Sequence, residues 1–310
     1  MITVNNISKS FGEKNQKVLA VDAVSFSVGK GEIFGLIGPD GAGKTTIFRM
    51  LTTLLLPDSG HAEIDHLDIK KEYKTIRQIL GYMPGKFSLY QDLTVEENLN
   101  FFASVFNTTI EENYALIKDI YQQIEPFKTR RAGKLSGGMK QKLALSCALI
   151  HKPKVLFLDE PTTGVDPVSR KEFWEMLKRL KEQGITIVVA TPYMDEASLC
   201  DRIALMQAGK ILKIDTPENI CQSFPEELLE IKTDNIPMLL KVLKDNPAFH
   251  NAYAFGDCAH AVVSKGFQME NLKTYLTEKN CKNIAIKKIE ATIEDSFILL
   301  LSNNENEYRN

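Results

Sequence analysis

The sequence predicts an α/β protein with a largely parallel core sheet. Three runs, at residues 33–37, 155–158 and 185–189, are almost entirely apolar, as is typical of strands that are buried on both faces. The second and third runs each follow a segment of helical character, at residues 139–150 and 169–183. This alternation of helices and buried strands indicates parallel strand–helix units.

The rest of the first two thirds of the chain has two other patterns. Ile2-Thr3-Val4 and Val24-Ser25-Phe26-Ser27-Val28 alternate in polarity, which predicts short strands with one exposed face. Residues 92–130 change to a helical pattern with few β-branched runs. We therefore expect a helical subdomain over about residues 88–150, inserted into a domain that covers residues 1–220.

The pattern changes again after about residue 215. Strands are predicted at residues 228–231, 259–263 and 284–289, and helices at residues 236–244 and 269–279. A last helix is expected to begin at Thr292, because Thr292 and Asp295 have the spacing of a capping box. The sequence thus predicts a small α+β domain over residues 221–302 and a polar, frayed tail over residues 303–310.

The composition limits the classes of partner and site. The 310 residues carry 38 basic and 40 acidic side chains, whereas nucleic-acid-binding surfaces are usually basic, so we expect no nucleic-acid partner. The five cysteines are scattered without a C-x-x-C pair, which predicts neither a disulfide framework nor a zinc site. No apolar run approaches the ~20 residues of a membrane-spanning helix, and the N-terminus lacks the layout of a secretion signal. We expect a chain that is soluble by itself.

A glycine-rich segment follows the first buried strand. Gly38-Pro39-Asp40-Gly41-Ala42-Gly43-Lys44-Thr45-Thr46 matches the pattern G-x-x-x-x-G-K-[ST]. The glycines let the backbone curl so that its N–H groups, and those of the following helix, face a phosphate. Lys44 is expected to reach the β- and γ-phosphates of ATP, and Thr45 to bind Mg²⁺; an ordinary glycine-rich turn is the alternative. The residues expected to contact ATP are Gly38, Asp40, Gly41, Gly43, Lys44, Thr45 and Thr46.

Two acidic residues, Asp159 and Glu160, follow the buried strand at residues 155–158. An apolar strand that delivers two acids to the edge of a sheet is typical of a Walker B element. Asp159 is expected to hold Mg²⁺, directly or through water, and Glu160 to polarise the attacking water as the catalytic residue. A strand that ends in a solvated acidic turn is the alternative, which the glycine-rich segment disfavours.

A third motif indicates the family. Leu135-Ser136-Gly137-Gly138-Met139-Lys140-Gln141 resembles the LSGGQ signature of ABC-type ATP-binding subunits, with Met139 in place of the glutamine. It lies about 20 residues before the acidic strand, where that family places it. The resemblance implies that Ser136, Gly137 and Gly138 close over the γ-phosphate of ATP held by the other subunit of a head-to-tail dimer. A plain helix start is the alternative.

Further segments are similar to the same family. Residues 160–167 resemble its D-loop, which implies that Asp166 faces the dimer partner. Phe11 stands where an aromatic ring usually stacks on adenine, and a core phenylalanine is the alternative. The resemblance covers residues 2–220 and implies a P-loop NTPase cassette with a mostly parallel core sheet, an antiparallel β subdomain and a helical subdomain. The remainder looks like the C-terminal accessory domain of drug- and antibiotic-exporting members.

Two positions depart from the family pattern. Gly85 stands where the Q-loop has the glutamine that contacts Mg²⁺ and the attacking water, and Pro192 replaces the histidine that contacts the γ-phosphate. Neither residue offers a side-chain donor. Because one lost preorganised donor typically costs ~10²–10³ in rate, we expect ATP binding with slow hydrolysis in the chain's own site. The alternative is that Thr191, Tyr193 or Lys86 substitutes for the missing groups.

The resemblance implies an ATP-driven motor, bound through a membrane permease to the cytoplasmic face of the cell membrane. The C-terminal region favours an exporter. Because the signature is near consensus while the chain's own site is depleted, we favour a heterodimer with a second cassette over a homodimer. A regulatory subunit with negligible turnover is a second hypothesis, which Glu160 disfavours. A family member acting on ribosomes or DNA usually carries two cassettes or a long coiled coil, and neither is present here.

Overall fold

The computed structural model describes residues 1–12, 17–85 and 89–307 of the chain. Internal contacts divide it into two compact units, Met1–Pro217 and the residues from Glu218 onward. The boundary expected from the sequence, after residue 220, lies inside the helix Pro217–Gln222. Among the helices of the described residues, none combines the length and apolarity that crossing a membrane requires.

The first unit contains both strands and helices. Its strands are β1 (Ile2–Phe11), β2 (Val18–Val28), β3 (Ile33–Ile37), β4 (Ser59–Ile64), β5 (Leu67–Asp68), β6 (Leu80–Met83), β7 (Val155–Asp159), β8 (Thr186–Thr191), β9 (Arg202–Gln207) and β10 (Lys210–Asp215). Its α-helices are α1 (Lys44–Leu51), α2 (Tyr73–Ile79), α3 (Val95–Val105), α4 (Ile110–Tyr121), α5 (Gly137–Leu149), α6 (Pro167–Glu182) and α7 (Met194–Ala197), and α8 (Pro217–Gln222) follows.

The core of the first unit is a six-stranded sheet in the order β10-β9-β3-β8-β7-β6. The five strands from β9 to β6 run parallel, and only β10 is antiparallel to its neighbour. Every residue of β3, β7 and β8 is buried, which explains why these strands are apolar without alternation. The mostly parallel sheet predicted from the sequence is confirmed.

The parallel strands end in register at one edge of this sheet. Ile37, the last residue of β3, pairs with Thr191, the last residue of β8. Asp159 at the end of β7 pairs with Ala190, and β6 ends opposite Leu158. The segments that follow β3, β6, β7 and β8 therefore leave the sheet beside one another, in the position where ligands bind to open α/β sheets.

Two further parts complete the first unit. A four-stranded antiparallel sheet has the order β2-β1-β4-β5 and buries alternate residues of β1, such as Ile2 and Val4. Helices α3, α4 and α5 form the helical region, in which Thr94 and Thr109 each begin a helix with a complete capping box. Both parts agree with the subdomains that the family resemblance implies.

The second unit is a separate α+β fold. Its strands are β11 (Glu227–Lys232), β12 (Phe249–Phe255), β13 (Cys258–Val263) and β14 (Ala285–Ile289), and its helices are α9 (Ile236–Lys244), α10 (Glu270–Glu278) and α11 (Ile293–Glu307). The antiparallel sheet has the order β12-β13-β11-β14. One face of it packs with α9 and α10 around Leu229, Ala261 and Leu239. The other face carries Cys258 and His260, and α11 contributes Asp295 to it.

The last helix, α11, begins where the sequence predicts and ends later than expected. Thr292 and Asp295 form the expected capping box, since the Thr292 N–H donates to Asp295 at 2.7 Å and the Asp295 N–H donates to the Thr292 hydroxyl at 3.2 Å. However, α11 continues to Glu307, so the domain end expected at residue 302 lies inside this helix. Polar side chains do not end a helix by themselves, because the backbone hydrogen bonds continue without a proline or glycine to interrupt them.

Candidate functional site

The phosphate loop, residues 38–43, connects β3 to α1 at the carboxyl edge of the core sheet. Gly41 and Gly43 have φ values of 79° and 101°, in the region that favours glycine. A Cβ at Gly43 would lie only 2.5 Å from the carbonyl oxygen of Ala20, so no larger residue fits there. The loop leads directly into α1, whose first N–H groups have no partners within the helix and can bind an anion.

Lys44 opens α1 and is buried beneath the phosphate loop. Its ammonium group donates to the carbonyl oxygens of Gly38 at 2.6 Å and Pro39 at 2.9 Å. Burial lowers the pKa of Lys44, while the negative charges of Glu160, Asp40 and Asp159 act in the opposite direction. A phosphate beside this ammonium group would compensate for its lost hydration, and the ammonium has three donors of which two are used by these carbonyls.

Thr45 and Asp159 meet at the base of the same cleft. The Thr45 hydroxyl donates to Oδ1 of the buried Asp159 at 3.2 Å. Burial raises the pKa of Asp159, and the nearby charge of Glu160 adds to this effect, against the hydrogen bond from Thr45 and the charge of Lys44. A hydroxyl and a carboxylate are the hard oxygen ligands that Mg²⁺ prefers. The positive charge of the cation would stabilise the ionised carboxylate of Asp159. These two residues therefore fit a magnesium ion.

Glu160 turns the chain at the end of β7. It has a φ of 49°, in the left-handed region that is rare for residues other than glycine. Its N–H donates to the carbonyl oxygen of Ala190 at 2.8 Å, and its carboxylate accepts from the Thr163 hydroxyl at 3.3 Å. Strained backbone held by neighbouring strands is common at active sites. The partly buried carboxylate lines the same cleft as Lys44.

A cleft of about 370 Å³ collects most of the predicted ATP-binding residues. The aromatic ring of Phe11 lies at its border and is 44% exposed, so the alternative of a core phenylalanine is wrong. Among the described residues that line this cleft, none comes from the signature segment at 135–141. The cleft is lined by Phe11, Ala20, Asp40, Gly41, Ala42, Gly43, Lys44, Thr45, Thr46 and Glu160.

The signature and the D-loop begin two adjacent helices. Ser136 caps α5 by accepting the N–H of Met139 at 3.3 Å, and Asp166 caps α6 by accepting the N–H groups of Val168 and Ser169 at 3.1 and 3.0 Å. These hydrogen bonds hold the pKa of Asp166 below its ordinary value, with the Ser169 N–H as the largest cause. A Cβ at Gly138 would lie 2.9 Å from the Ser169 hydroxyl, so the two helix starts are in close contact.

Comparisons with known proteins identify the family. The sequence model of the ABC transporter family matches residues 21–163. The probable multidrug ABC transporter ATP-binding protein YbhF of Escherichia coli is 44% identical over 222 residues, which are 71% of this chain and 38% of YbhF. Nod factor export ATP-binding protein I of Burkholderia lata is 39% identical over 72% of this chain and 73% of its own length. The chain belongs to the ABC transporter ATP-binding proteins.

Solved ABC cassettes share the fold. A dimeric ATP-binding cassette in a post-hydrolysis state, bound to ADP and Pi, has a TM-score of 0.64 and 25% identity, covering 70% of this chain and 98% of its own. The ATP-binding subunit of another ABC transporter has a TM-score of 0.64 and 27% identity, covering 72% of this chain and 93% of its own. The P-loop cassette fold predicted from the sequence is thus confirmed.

Of the two positions that depart from the ABC pattern, Gly85 lies beside Asp159 and Glu160. A Cβ at Gly85 would be 3.1 Å from the carbonyl oxygen of Asp159 and 3.7 Å from Cβ of Glu160. The segment after β6 therefore passes directly against the end of β7, with no side chain at the contact. Pro192 follows the last residue of β8 and has neither an N–H group nor a polar side chain.

One of the alternative donors at the switch segment, residues 190–197, is engaged elsewhere. The fully buried Thr191 hydroxyl donates to Glu196 at 2.7 Å and accepts the Tyr193 N–H at 3.1 Å. The ring of Tyr193 lies under the guanidinium group of Arg170, 4.5 Å from its carbon. Lys86 lies outside the described residues. The Thr191 hydroxyl is thus not available for a phosphate unless these bonds break.

Glu196 connects two loops at the site and is not among the site residues predicted from the sequence. Its carboxylate is 1% exposed and accepts hydrogen bonds from the hydroxyls of Thr162, after β7, and Thr191, at the end of β8. The Nε of Arg170 lies 3.7 Å from the same carboxylate. Glu196 therefore fixes the loops after two neighbouring strands relative to each other. The only signal in the sequence is its place in a segment that resembles the ABC switch region.

Proposed function

We propose that the chain is the motor subunit of an ABC exporter, that it acts through a separate membrane permease, and that its own ATP site binds MgATP but hydrolyses it slowly. The observation that carries this proposal is a complete set of phosphate and metal-binding groups beside two positions, Gly85 and Pro192, that have no donor side chain. The mechanism and the test both follow from that contrast.

The residues present support binding and the start of catalysis. The phosphate loop and Lys44 would hold the β- and γ-phosphates, and Thr45 with Asp159 would hold Mg²⁺, which neutralises phosphate charge. Phe11 would stack on the adenine. The Glu160 carboxylate, at the mouth of the same cleft, would accept a proton from the attacking water.

The missing groups support slow turnover. A glutamine at position 85 and a histidine at position 192 would each supply a donor or acceptor near the γ-phosphate, and loss of one such group typically costs ~10²–10³ in rate. The engagement of Thr191 with Glu196 removes one candidate substitute. Retention of Glu160 favours slow hydrolysis over a purely regulatory role, in which turnover would be negligible.

The partners follow from the helix starts and from the relatives. Ser136, Gly137 and Gly138 present a helix N-terminus that would bind the γ-phosphate of a second cassette's ATP, with Asp166 beside it facing that cassette. We favour a heterodimer, in which the signature completes a competent partner site. Relatives named for multidrug transport, Nod factor export and linearmycin resistance support export. The permease would hold the subunit at the cytoplasmic face of the membrane.

The test is single-turnover hydrolysis of ATP with Mg²⁺ by the purified chain at concentrations that allow it to dimerise. The comparison is the double variant Gly85→Gln, Pro192→His. Because a Cβ at position 85 meets the Asp159 carbonyl at 3.1 Å, Gly85→Ala is the matched control for strain. Glu160→Gln in each background reports whether the observed turnover arises from this site.

The rates separate the hypotheses. Slow turnover by the natural chain with tight ATP binding, and at least a tenfold gain in the double variant, supports the proposal. Equal turnover in both, abolished in each by Glu160→Gln, contradicts it and indicates a self-sufficient ATPase. Tight binding with no turnover in either chain favours the regulatory subunit.

A further inference from the structure

A cluster of three potential metal ligands lies in the second unit. It shares no residue with the described lining of the nucleotide cleft. Cys258 and His260 are two residues apart on β13 and therefore point to the same face of the sheet. Glu230 on the neighbouring strand β11 pairs directly with His260, which places its side chain on that face as well. This is the face opposite the α9–α10 core.

The ligand atoms of the cluster are close together and largely shielded from water. One atom of each residue, namely a carboxylate oxygen, the sulfur and a ring nitrogen, lies within 4.8 Å of the other two. Cys258 and His260 are 3% and 2% exposed, and Glu230 is partly exposed. In a tetrahedral zinc site the ligand atoms lie about 3.3–3.8 Å apart, so a convergence of about 1 Å would form one.

The histidine of the cluster is oriented by a buried carboxylate. Nδ1 of His260 lies 2.6 Å from Oδ1 of Asp295, which is fully buried and also accepts from the Tyr253 hydroxyl at 2.6 Å. The ring of Phe255 stacks on the imidazole at 4.1 Å. With Nδ1 bound to Asp295, Nε2 is the nitrogen left for a ligand. In zinc sites, the histidine ligand usually donates its other ring N–H to a carboxylate in this way.

A metal ion could replace the contacts that Cys258 and Glu230 make in the protein without metal. Cys258 donates to the carbonyl oxygen of Phe255 at 2.9 Å, and Glu230 pairs with Lys287 at 3.2 Å on the surface. Metal binding would release the thiol proton to solvent and replace these two contacts with bonds to the ion.

We propose that Glu230, Cys258 and His260 bind one Zn²⁺ ion, with water in the fourth position and Asp295 as the positioning residue for His260. A thiolate, an imidazole and a carboxylate favour zinc over the hard cations Mg²⁺ and Ca²⁺. The scattered cysteines gave no such signal because strand pairing, and not spacing along the chain, assembles the ligands. The ion would link β11 to β13 and stabilise the second unit.

The test uses the full chain, freed of metal with a chelator, and Co²⁺ as a spectroscopic substitute for Zn²⁺. We expect one equivalent of Co²⁺ to produce a thiolate-to-metal charge-transfer band in the near ultraviolet, which Zn²⁺ then removes. The magnesium site at Thr45 and Asp159 has only oxygen ligands and cannot produce that band. The band therefore separates this site from the nucleotide site, and from failure of the proposed function.

Variants identify the ligands. Cys258→Ser and His260→Gln should abolish the band, whereas Cys281→Ser, a matched change of another buried cysteine in the same unit, should keep it. Asp295→Asn should weaken Zn²⁺ binding about 10–100-fold in competition with a chromophoric chelator. Absence of the band in the natural chain overturns the proposal without recourse to a variant, as does a band that persists in Cys258→Ser.

Discussion

Replacement of the buried Glu196 by alanine should destabilise the first unit. The change removes the acceptor of two buried hydroxyls, those of Thr162 and Thr191, and leaves each hydroxyl proton without its acceptor in the folded protein. The unfolded chain does not bear this cost, because water hydrates both hydroxyls there. The substitution therefore acts on the folded state, through lost hydrogen bonds and not through lost apolar packing.

The magnitude follows from the two hydrogen bonds. A hydrogen bond to a charged group contributes about 1.5–3 kcal/mol, so the loss of both should cost about 3–6 kcal/mol. The Arg170 contact at 3.7 Å is longer than a hydrogen bond and adds little. At about 2–4 °C per kcal/mol for a unit of this size, even the lower value lowers Tm by about 6–12 °C. Glu196→Gln keeps one acceptor and should lose about half as much.

The chain provides its own probe for the measurement. Trp174, on α6, is the single tryptophan and is buried, so the midpoint of urea unfolding followed by its fluorescence reports the first unit. Thr162→Val in the Glu196→Ala background should cost little, because the hydrogen bond from the Thr162 hydroxyl to Glu196 is already lost. A loss below about 1 kcal/mol for Glu196→Ala, or full additivity with Thr162→Val, would refute the reasoning.

Three further predictions concern the nucleotide site and the second unit. Lys44→Ala should lower ATP affinity at least tenfold in calorimetric titration, and unchanged affinity would exclude its contact with phosphate. Asp159→Asn should remove the gain in ATP affinity that Mg²⁺ provides while leaving binding in a chelator unchanged; a retained gain would contradict its role as a metal ligand. Thr292→Ala should destabilise α11 by about 1 kcal/mol, seen as faster amide hydrogen exchange over residues 293–302, with Thr277→Ala as the control that should show no such change.

The sequence predicts the strands that are buried on both faces better than it predicts the others. β3 has the predicted bounds, because its run of five residues fits a strand that is buried on both faces. β12 is not apparent from the sequence, since His250 and Asn251 interrupt its apolar positions. It forms because β13 beside it pairs with its backbone from Phe249 to Phe255, with one register shift between Phe249 and Asn251. Strand pairing overrides local composition there.

The residues of the site also divide into those that the sequence predicts and those that it does not. Lys44, Thr45 and Asp159 stand in motifs whose spacing along the chain already implies their chemistry, and the structure brings them together at one sheet edge. Glu196 and the cluster around His260 depend on which strands are neighbours. Spacing along one chain segment does not contain that information, so only the folded structure reveals them.

The hydrogen bonds at the end of β8 have a consequence for how ABC subunits of this kind can diverge. Consecutive peptide groups of this strand, those of Ala190 and Thr191, accept the N–H groups of Glu160 and Gly38. These two backbone hydrogen bonds tie the phosphate loop and Glu160 to the same strand end, whatever side chains surround them. Substitutions at positions 85 and 192 are therefore expected to change the rate of hydrolysis more than the affinity for the nucleotide.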